Sequence, residues 1–124
     1  MSELRPKILY IDDDLDALKV MTLYLDLRSI EVVSARSCAD GLVRAAGEHF
    51  DLFLLDTSMP GTDGFDLCRQ LRRLYPERPT IFYTGRAHDG QREEAMTAGA
   101  TEFVAKPNFD SLLESLSRYV TVRA

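Results

Sequence analysis

The chain of 124 residues contains no tryptophan and two cysteines, and no apolar run in it approaches the roughly 20 residues of a membrane-spanning helix. Cys38 and Cys68 have neither CxxC nor metal-ligand spacing, so we expect no zinc site and no disulfide framework. Residues 1–6 do not contain the apolar core of a secretion signal. These absences predict a cytoplasmic protein with no membrane contact.

Positive charge is also scarce. Fifteen Lys and Arg residues face twenty Asp and Glu residues, which gives a formal net charge of −5. Nucleic-acid binding needs clustered, uncompensated cations, so we expect no direct nucleic-acid binding by this domain. The local cluster of Arg69, Arg72 and Arg73 has the spacing of one exposed helix face and does not change that expectation.

Short apolar segments alternate with longer amphipathic ones along the chain. The apolar segments predict five strands, at residues 8–11, 31–35, 52–55, 80–83 and 102–105. Apolar residues at helical spacing predict the interleaved helices, and they include Leu18, Met21 and Leu25, then Leu67, Leu71 and Leu74, then Leu112, Leu113, Leu116 and Val120. Strict alternation is typical of an α/β, doubly wound, five-stranded parallel sheet with helices on both faces. The length fits a single domain over residues 1–124.

Polar residues follow four of the predicted strands. Ligands of such sheets collect at the carboxyl ends of the strands, so these residues are candidates for a functional site. They are Asp12, Asp13 and Asp14 after the first strand, Asp56, Thr57 and Ser58 after the third, Thr84, Gly85 and Arg86 after the fourth, and Lys106 and Pro107 after the fifth. Such a carboxylate cluster suits Mg²⁺, which binds through one or two carboxylates and keeps several waters.

The same edge has the groups for aspartyl-phosphate chemistry. In that chemistry a carboxylate attacks a phosphoryl group while a metal, a lysine and a hydroxyl hold its charge. Lys106 supports this interpretation, because the chain has twelve arginines and three lysines, yet a lysine directly follows the last apolar strand. The residues alone leave open whether Asp12 or Asp56 is the nucleophile.

One resemblance favours Asp12. An apolar strand followed by Asp12-x-Asp14 resembles the first motif of haloacid-dehalogenase-type phosphatases, and "TIFYTG" at residues 80–85 resembles their second. This resemblance implies that Asp12 attacks and that Asp14 is the acid and base. Against it, Asp16 stands where that family usually has Thr or Val, and no acidic pair follows Lys106. The chain is also short for a phosphatase with a lid.

A second resemblance covers about residues 7–121. It rests on the acidic pair after the first strand, "LLDTSMPGTDG" after the third, "YTG" after the fourth and "FVAKP" at the fifth. In this order the motifs resemble those of the receiver domain of response regulators. The resemblance implies a flavodoxin-like (βα)5 fold with strand order 2-1-3-4-5. It also implies a phosphoacceptor module of a two-component phosphorelay, which catalyses its own aspartyl phosphorylation and dephosphorylation but is no enzyme with a separate substrate.

The receiver resemblance assigns the acidic residues to one site. Asp56 becomes the phosphoacceptor and also a metal ligand. Asp13 is expected to bind Mg²⁺ directly and Asp12 mainly through water, while the backbone carbonyl of Ser58 completes the protein ligands. Asp14 and Asp16 are expected at the N-terminus of the first helix, where carboxylates are favourable.

The same resemblance assigns the switch. Thr84 and Lys106 are expected to contact the phosphoryl group, and the bond before Pro107 is expected to be cis. Phe103 stands where the family places an aromatic that turns inward on phosphorylation. The weakly apolar segment 89–98 predicts a mobile fourth helix, and Arg86 predicts slow dephosphorylation, because it borders the expected path of the hydrolytic water.

The implied partners are a histidine kinase or a histidine phosphotransfer protein. An output domain or downstream protein is expected to recognise the switched surface of the fourth helix, fifth strand and fifth helix, and a phosphorylation-dependent homodimer is a further option. The alternative from another class is a receiver-like interaction module that works without phosphorylation. The complete set of Asp12, Asp13, Asp56, Thr84 and Lys106 argues against that module.

Overall fold

In the computed structural model, residues 5–59, 62–85 and 89–123 are described. Parallel strands form the sheet, which comprises β1 (Lys7–Ile11), β2 (Glu31–Ala35), β3 (Leu52–Leu55), β4 (Thr80–Thr84) and β5 (Glu102–Ala105). Their spatial order is β2–β1–β3–β4–β5. The predicted five-stranded sheet and its order are confirmed, and the strand ends agree with prediction to within one residue.

Helices cover both faces of the sheet. They are α1 (Leu15–Asp26), α2 (Cys38–Gly47), α3 (Gly64–Leu74), α4 (Asp89–Thr97) and α5 (Phe109–Ser117). Because successive strand residues point to opposite faces, Leu9 and Phe53 pack with α2, α3 and α4, whereas Ile8 and Leu52 pack with α1 and α5. Within the described ranges, no helix has the length and apolar character needed to cross a membrane.

The predicted helices are confirmed, except that the last one ends before Val120. Leu18, Met21 and Leu25 are buried as predicted, but Leu74 is 56% exposed at the last position of α3. Helix α5 ends at Ser117, so Val120 lies outside it. The backbone N–H of Val120 still bonds to the carbonyl of Leu116 at 3.0 Å. This turn returns Val120 to the apolar cluster, which explains its helix-like spacing.

Two expected features at the strand ends are present in the structure, and one further feature was not predicted. Asp14 caps α1, because its Oδ1 accepts hydrogen bonds from the backbone N–H groups of Asp16 at 3.0 Å and Ala17 at 3.2 Å. The Lys106–Pro107 bond is cis, as expected. The loop after β3 contains a pair of two-residue antiparallel strands, Ser58–Met59 and Thr62–Asp63, which the sequence did not predict.

The two cysteines are free and buried. Both belong to the apolar cluster on the face of the sheet that packs with α2, α3 and α4. Burial raises the pKa of the Cys68 thiol to about 11, so this thiol is protonated at neutral pH. Both cysteines are therefore packing residues of the core.

Candidate functional site

Backbone hydrogen bonds carry the sheet one residue beyond the strand ends. The N–H of Asp56 donates to the carbonyl of Ile11 at 3.1 Å, and the N–H of Lys106 donates to the carbonyl of Thr84 at 2.8 Å. The N–H of Asp12 is bonded to β2 in the same way, at 3.0 Å. These bonds fix the first residue after each strand, so the polar side chains converge at one edge.

Three carboxylates meet at this edge. Asp12, Asp13 and Asp56 each offer an oxygen, and these oxygens lie within 4.8 Å of one another. Carboxylate oxygens are the ligands that hard divalent cations prefer, so this donor set fits Mg²⁺. Three like charges at this distance repel one another, and a bound cation relieves that repulsion.

Asp12 is fully buried and has partners on both oxygens. Its Oδ1 accepts a hydrogen bond from the backbone N–H of Asp14 at 3.0 Å. Its Oδ2 accepts from the Tyr10 hydroxyl at 2.7 Å and from Nζ of Lys106 at 2.7 Å. A carboxylate held in this way is poorly placed to attack a phosphoryl group. Asp14, the acid and base of the phosphatase interpretation, instead caps α1, so the geometry argues against that interpretation.

Asp56 has a different environment. Its side chain remains 14% exposed, and its Oδ2 lies 3.9 Å from Nζ of Lys106. Its Oδ1 accepts a hydrogen bond from the backbone N–H of Thr57 at 2.8 Å. Burial raises the pKa of Asp56, while the charge of Lys106 and a hydrogen bond from Thr84 offset part of that increase. This carboxylate is therefore accessible and faces both a cation and a hydroxyl.

Two buried hydroxyls connect β3 and β4 beside Asp56. The Thr84 side chain is fully buried, and its Oγ1 lies 2.9 Å from Oγ1 of Thr57. Thr84 therefore lies where the sequence predicts a hydroxyl for the site. The sequence assigned Thr57 no role, although its position directly after Asp56 and beside β4 could have indicated the contact.

Tyr10 is a site residue that sequence reasoning missed. It lies on β1 two residues before Asp12 and is fully buried, with its hydroxyl bonded to that carboxylate. Residues two apart in a strand share a face, and a buried tyrosine hydroxyl usually has a hydrogen-bond partner. Those two rules applied to "YID" could have predicted the pair.

Gly64, the first residue of α3, packs directly on the backbone next to Asp56. A Cβ at this position would lie 2.4 Å from the carbonyl oxygen of Asp56 and 3.0 Å from Cα of Thr57. The N–H of Gly64 also donates to the Thr57 carbonyl at 3.3 Å. The start of α3 thus supports the backbone that carries Asp56, and this contact requires a residue without a side chain.

Phe103 and helix α4 belong to the region that the sequence assigns to the switch. Phe103 is buried and packs against Phe82, with ring centroids 6.4 Å apart. In α4, Ala95 is buried while Met96 is 46% exposed, which is consistent with the weak anchoring expected of this helix.

Ser58 lies in a short strand, and its carbonyl's role as a ligand stays a prediction. Arg86 lies outside the described residues, so its predicted effect on dephosphorylation also stays a prediction.

Comparisons with known proteins agree with this arrangement. The chain is 35% identical over 119 residues to the transcriptional regulatory protein AfsQ1 of Streptomyces coelicolor, covering 95% of this chain and 52% of that protein. A receiver domain structure from Methanospirillum hungatei superposes with a TM-score of 0.87 at 30% identity, covering 93% of each chain. TrrA of Thermotoga maritima, solved in complex with Mg²⁺ and beryllium fluoride, gives 0.85 at 26% identity, covering 93% of this chain and 99% of that one.

The chain spans between a quarter and about half of the length of the curated relatives that it matches first. The family model described as the response regulator receiver domain matches residues 8–117. This match covers most of the chain, including both edges of the parallel sheet and the carboxylate cluster. The chain therefore belongs to the response regulator receiver domain family.

Proposed function

We propose that this receiver is phosphorylated on Asp56 by a histidine kinase or a histidine phosphotransfer protein, and that residues 7–121 form its core. The observation that carries the proposal is the contrast between the two aspartates nearest to Lys106. Asp12 is fully buried and bonded on both oxygens, whereas Asp56 keeps access to solvent beside Lys106 and Thr84. A nucleophile must reach an incoming phosphoryl group, and Asp56 can do so.

The transfer needs no general base. An ionised oxygen of Asp56 attacks the phosphorus and forms the new P–O bond. The bond from phosphorus to the donor breaks, and its electron pair goes to the imidazole nitrogen of phosphohistidine or to the carboxylate oxygen of a small acyl phosphate. Lys106 and the Thr84 hydroxyl hold the charge on the phosphoryl oxygens. The domain positions this reaction on itself and has no separate substrate to turn over.

The acidic cluster would hold the Mg²⁺. Asp13 and Asp56 have the accessible oxygens for direct ligation, while Asp12 would act through water because its own oxygens are occupied. The Ser58 carbonyl would complete the protein ligands. When bound, the metal neutralises charge on the phosphoryl oxygens. The related TrrA domain, which was solved with both Mg²⁺ and beryllium fluoride, supports this assignment.

The switch would begin at Thr84. A phosphoryl group adds roughly two negative charges beside a hydroxyl that now bonds to Thr57 and to Asp56. We expect Thr84 to turn further toward that charge, with Phe103 packing behind it, and the surface of α4, β5 and α5 to change as a result. An output domain, a downstream protein or a second copy of the chain would recognise that surface.

The proposal is tested by intact mass after incubation with acetyl phosphate, with and without Mg²⁺. The wild type should gain one phosphoryl group only with Mg²⁺, Asp56→Asn should gain none, and Asp12→Asn should be labelled more slowly. If Asp56→Asn were labelled and Asp12→Asn were not, the nucleophile would be Asp12 at the end of β1. No labelling of the wild type, from acetyl phosphate or from a phosphorylated histidine phosphotransfer protein, would favour a module that works without phosphorylation.

A further inference from the structure

The hydroxyl of Tyr10 and the ammonium of Lys106 share one oxygen. Both groups donate to Oδ2 of Asp12, each at 2.7 Å. Tyr10 and Asp12 are fully buried, while the Lys106 side chain keeps 21% of its surface exposed. The tyrosine is therefore a fixed partner of this oxygen, whereas the lysine can move.

The proposed phosphorylation draws the lysine toward Asp56. Nζ of Lys106 lies 2.7 Å from Asp12 and 3.9 Å from Asp56, so its closer contact is with Asp12, and a shift toward a phosphoryl group on Asp56 would weaken that contact. A buried carboxylate oxygen that loses its donor is strongly disfavoured. Tyr10 remains on Oδ2 when the lysine leaves, so this oxygen stays hydrogen-bonded throughout.

We propose that Tyr10 is a positioning residue that holds Oδ2 of Asp12 and thereby makes it easier for Lys106 to move to the phosphoryl group on Asp56. The inference rests on the proposed function. A tyrosine hydroxyl ordinarily has a pKa of about 10 and keeps its proton at physiological pH, so the Tyr10 hydroxyl can serve as the permanent donor.

The test uses Tyr10→Phe, which keeps the ring and removes the hydroxyl. Beryllofluoride, which mimics the phosphoryl group, should bind about tenfold more weakly to this variant, because Lys106 would then leave Oδ2 without a donor. Mg²⁺ affinity should be unchanged or slightly higher, because Asp12 keeps its full negative charge. A variant with general damage to the site would lose affinity for both probes, and that result would overturn the proposal.

Tyr83→Phe is the matched control. Tyr83 lies on β4 and is 3% exposed. Its ring, which phenylalanine keeps, lies 5.7 Å from Nζ of Lys106, and its hydroxyl is not among the described donors to Oδ2 of Asp12. This control should bind both probes like the wild type. The effect of Tyr10→Phe should also disappear in the Asp12→Asn background, because the hydroxyl acts through that carboxylate. Equal beryllofluoride affinity of wild type and Tyr10→Phe would overturn the inference.

A measurement without metal separates this inference from the proposed function. In metal-free protein, the ammonium hydrogens of Lys106 should exchange more slowly in Tyr10→Phe than in wild type, because the lysine becomes the sole side-chain donor to Oδ2 among the residues that the structure describes. Equal or faster exchange would contradict the role of Tyr10. Failure of wild type to bind beryllofluoride would instead contradict the proposed function, and the exchange result would still decide the inference.

Discussion

Nζ of Lys106 lies 2.7 Å from Oδ2 of Asp12 and 3.9 Å from Oδ2 of Asp56. The lysine thus compensates a fully buried carboxylate of the folded protein, in addition to its proposed contact with a phosphoryl group. Its removal should affect stability as well as phosphorylation, and the two effects can be measured separately.

Replacing Lys106 with Met should destabilise the metal-free protein by about 3 kcal/mol, because it leaves the buried Asp12 without its counter-charge. Met keeps an apolar stem of similar length, so the loss reports mainly on the charge. The measurement is urea unfolding in the presence of a chelator. Lys7→Met is the control, because Lys7 pairs with Glu48 at 2.8 Å but both side chains are partly exposed, so its replacement should cost much less stability than that of Lys106. Similar losses in both variants would contradict the prediction.

Mg²⁺ should stabilise the folded protein, because only the folded chain assembles the carboxylate cluster that we propose as its site. At a free concentration of 100 times Kd, the gain in free energy of unfolding should be about 2.7 kcal/mol. Asp13→Asn should be more stable than wild type without metal, since it removes one repelling charge, and should gain less from Mg²⁺. Glu77→Gln, in an exposed loop, should behave like wild type in both conditions. A gain that is equal in all three proteins would show that the metal acts elsewhere.

Gly64→Ala should displace the backbone that carries Asp56, since its Cβ would lie 2.4 Å from the Asp56 carbonyl oxygen. We expect a loss of about 1–3 kcal/mol in stability and slower phosphorylation by acetyl phosphate. Gly47→Ala is the matched control, because a Cβ at that position would meet nothing within 4 Å. It should leave phosphorylation unchanged and stabilise the end of α2 by up to about 1 kcal/mol. A wild-type phosphorylation rate in Gly64→Ala would contradict the proposed support of Asp56.

The stability contributed by Glu102 should depend on pH. Burial would raise the pKa of this carboxyl, but hydrogen bonds from Tyr119, Ser115 and Arg118 outweigh it and hold the pKa below the usual 4.5. A lowered pKa in the folded state stabilises the fold above the usual value, and this contribution is lost as the pH falls through the lowered pKa. Wild type should therefore be more stable than Glu102→Gln at pH 7, and the difference should shrink in acid.

The control for this pH dependence is Glu114→Gln. Glu114 is 75% exposed and lies 3.7 Å from the same arginine, so its replacement should change stability little at any pH. The measurement is the free energy of unfolding from urea titrations at neutral and acidic pH. A Glu102→Gln difference that grows as the pH falls would contradict the assigned direction of the pKa change.

The sequence predicted the sheet well because its signals are local. Each strand is a short apolar segment, and the polar residues that follow it are brought to one edge by the parallel arrangement alone. The exposure of Leu74 and the end of α5 before Val120 could not be predicted in the same way, because helical spacing does not show where a helix ends. Tertiary contacts decide those ends.

The site was predictable as a set of residues but not as a set of contacts. Asp12, Asp13, Asp56, Thr84 and Lys106 follow from their positions at the carboxyl ends of the strands. Sequence position does not specify which carboxylate the lysine contacts before phosphorylation. The support from Gly64 depends on a close approach between α3 and the end of β3. Such contacts arise between segments far apart in the chain, so only the three-dimensional arrangement reveals them.

Reduction of the aspartyl phosphate with borohydride would decide whether Asp56 carries the phosphoryl group. This reaction converts a phosphorylated aspartate into homoserine, which peptide mass spectrometry can locate after incubation with acetyl phosphate and Mg²⁺. We expect homoserine at position 56 and unmodified aspartate at positions 12 and 13. Homoserine at position 12 would contradict the assignment of Asp56 and would identify β1 as the source of the nucleophile.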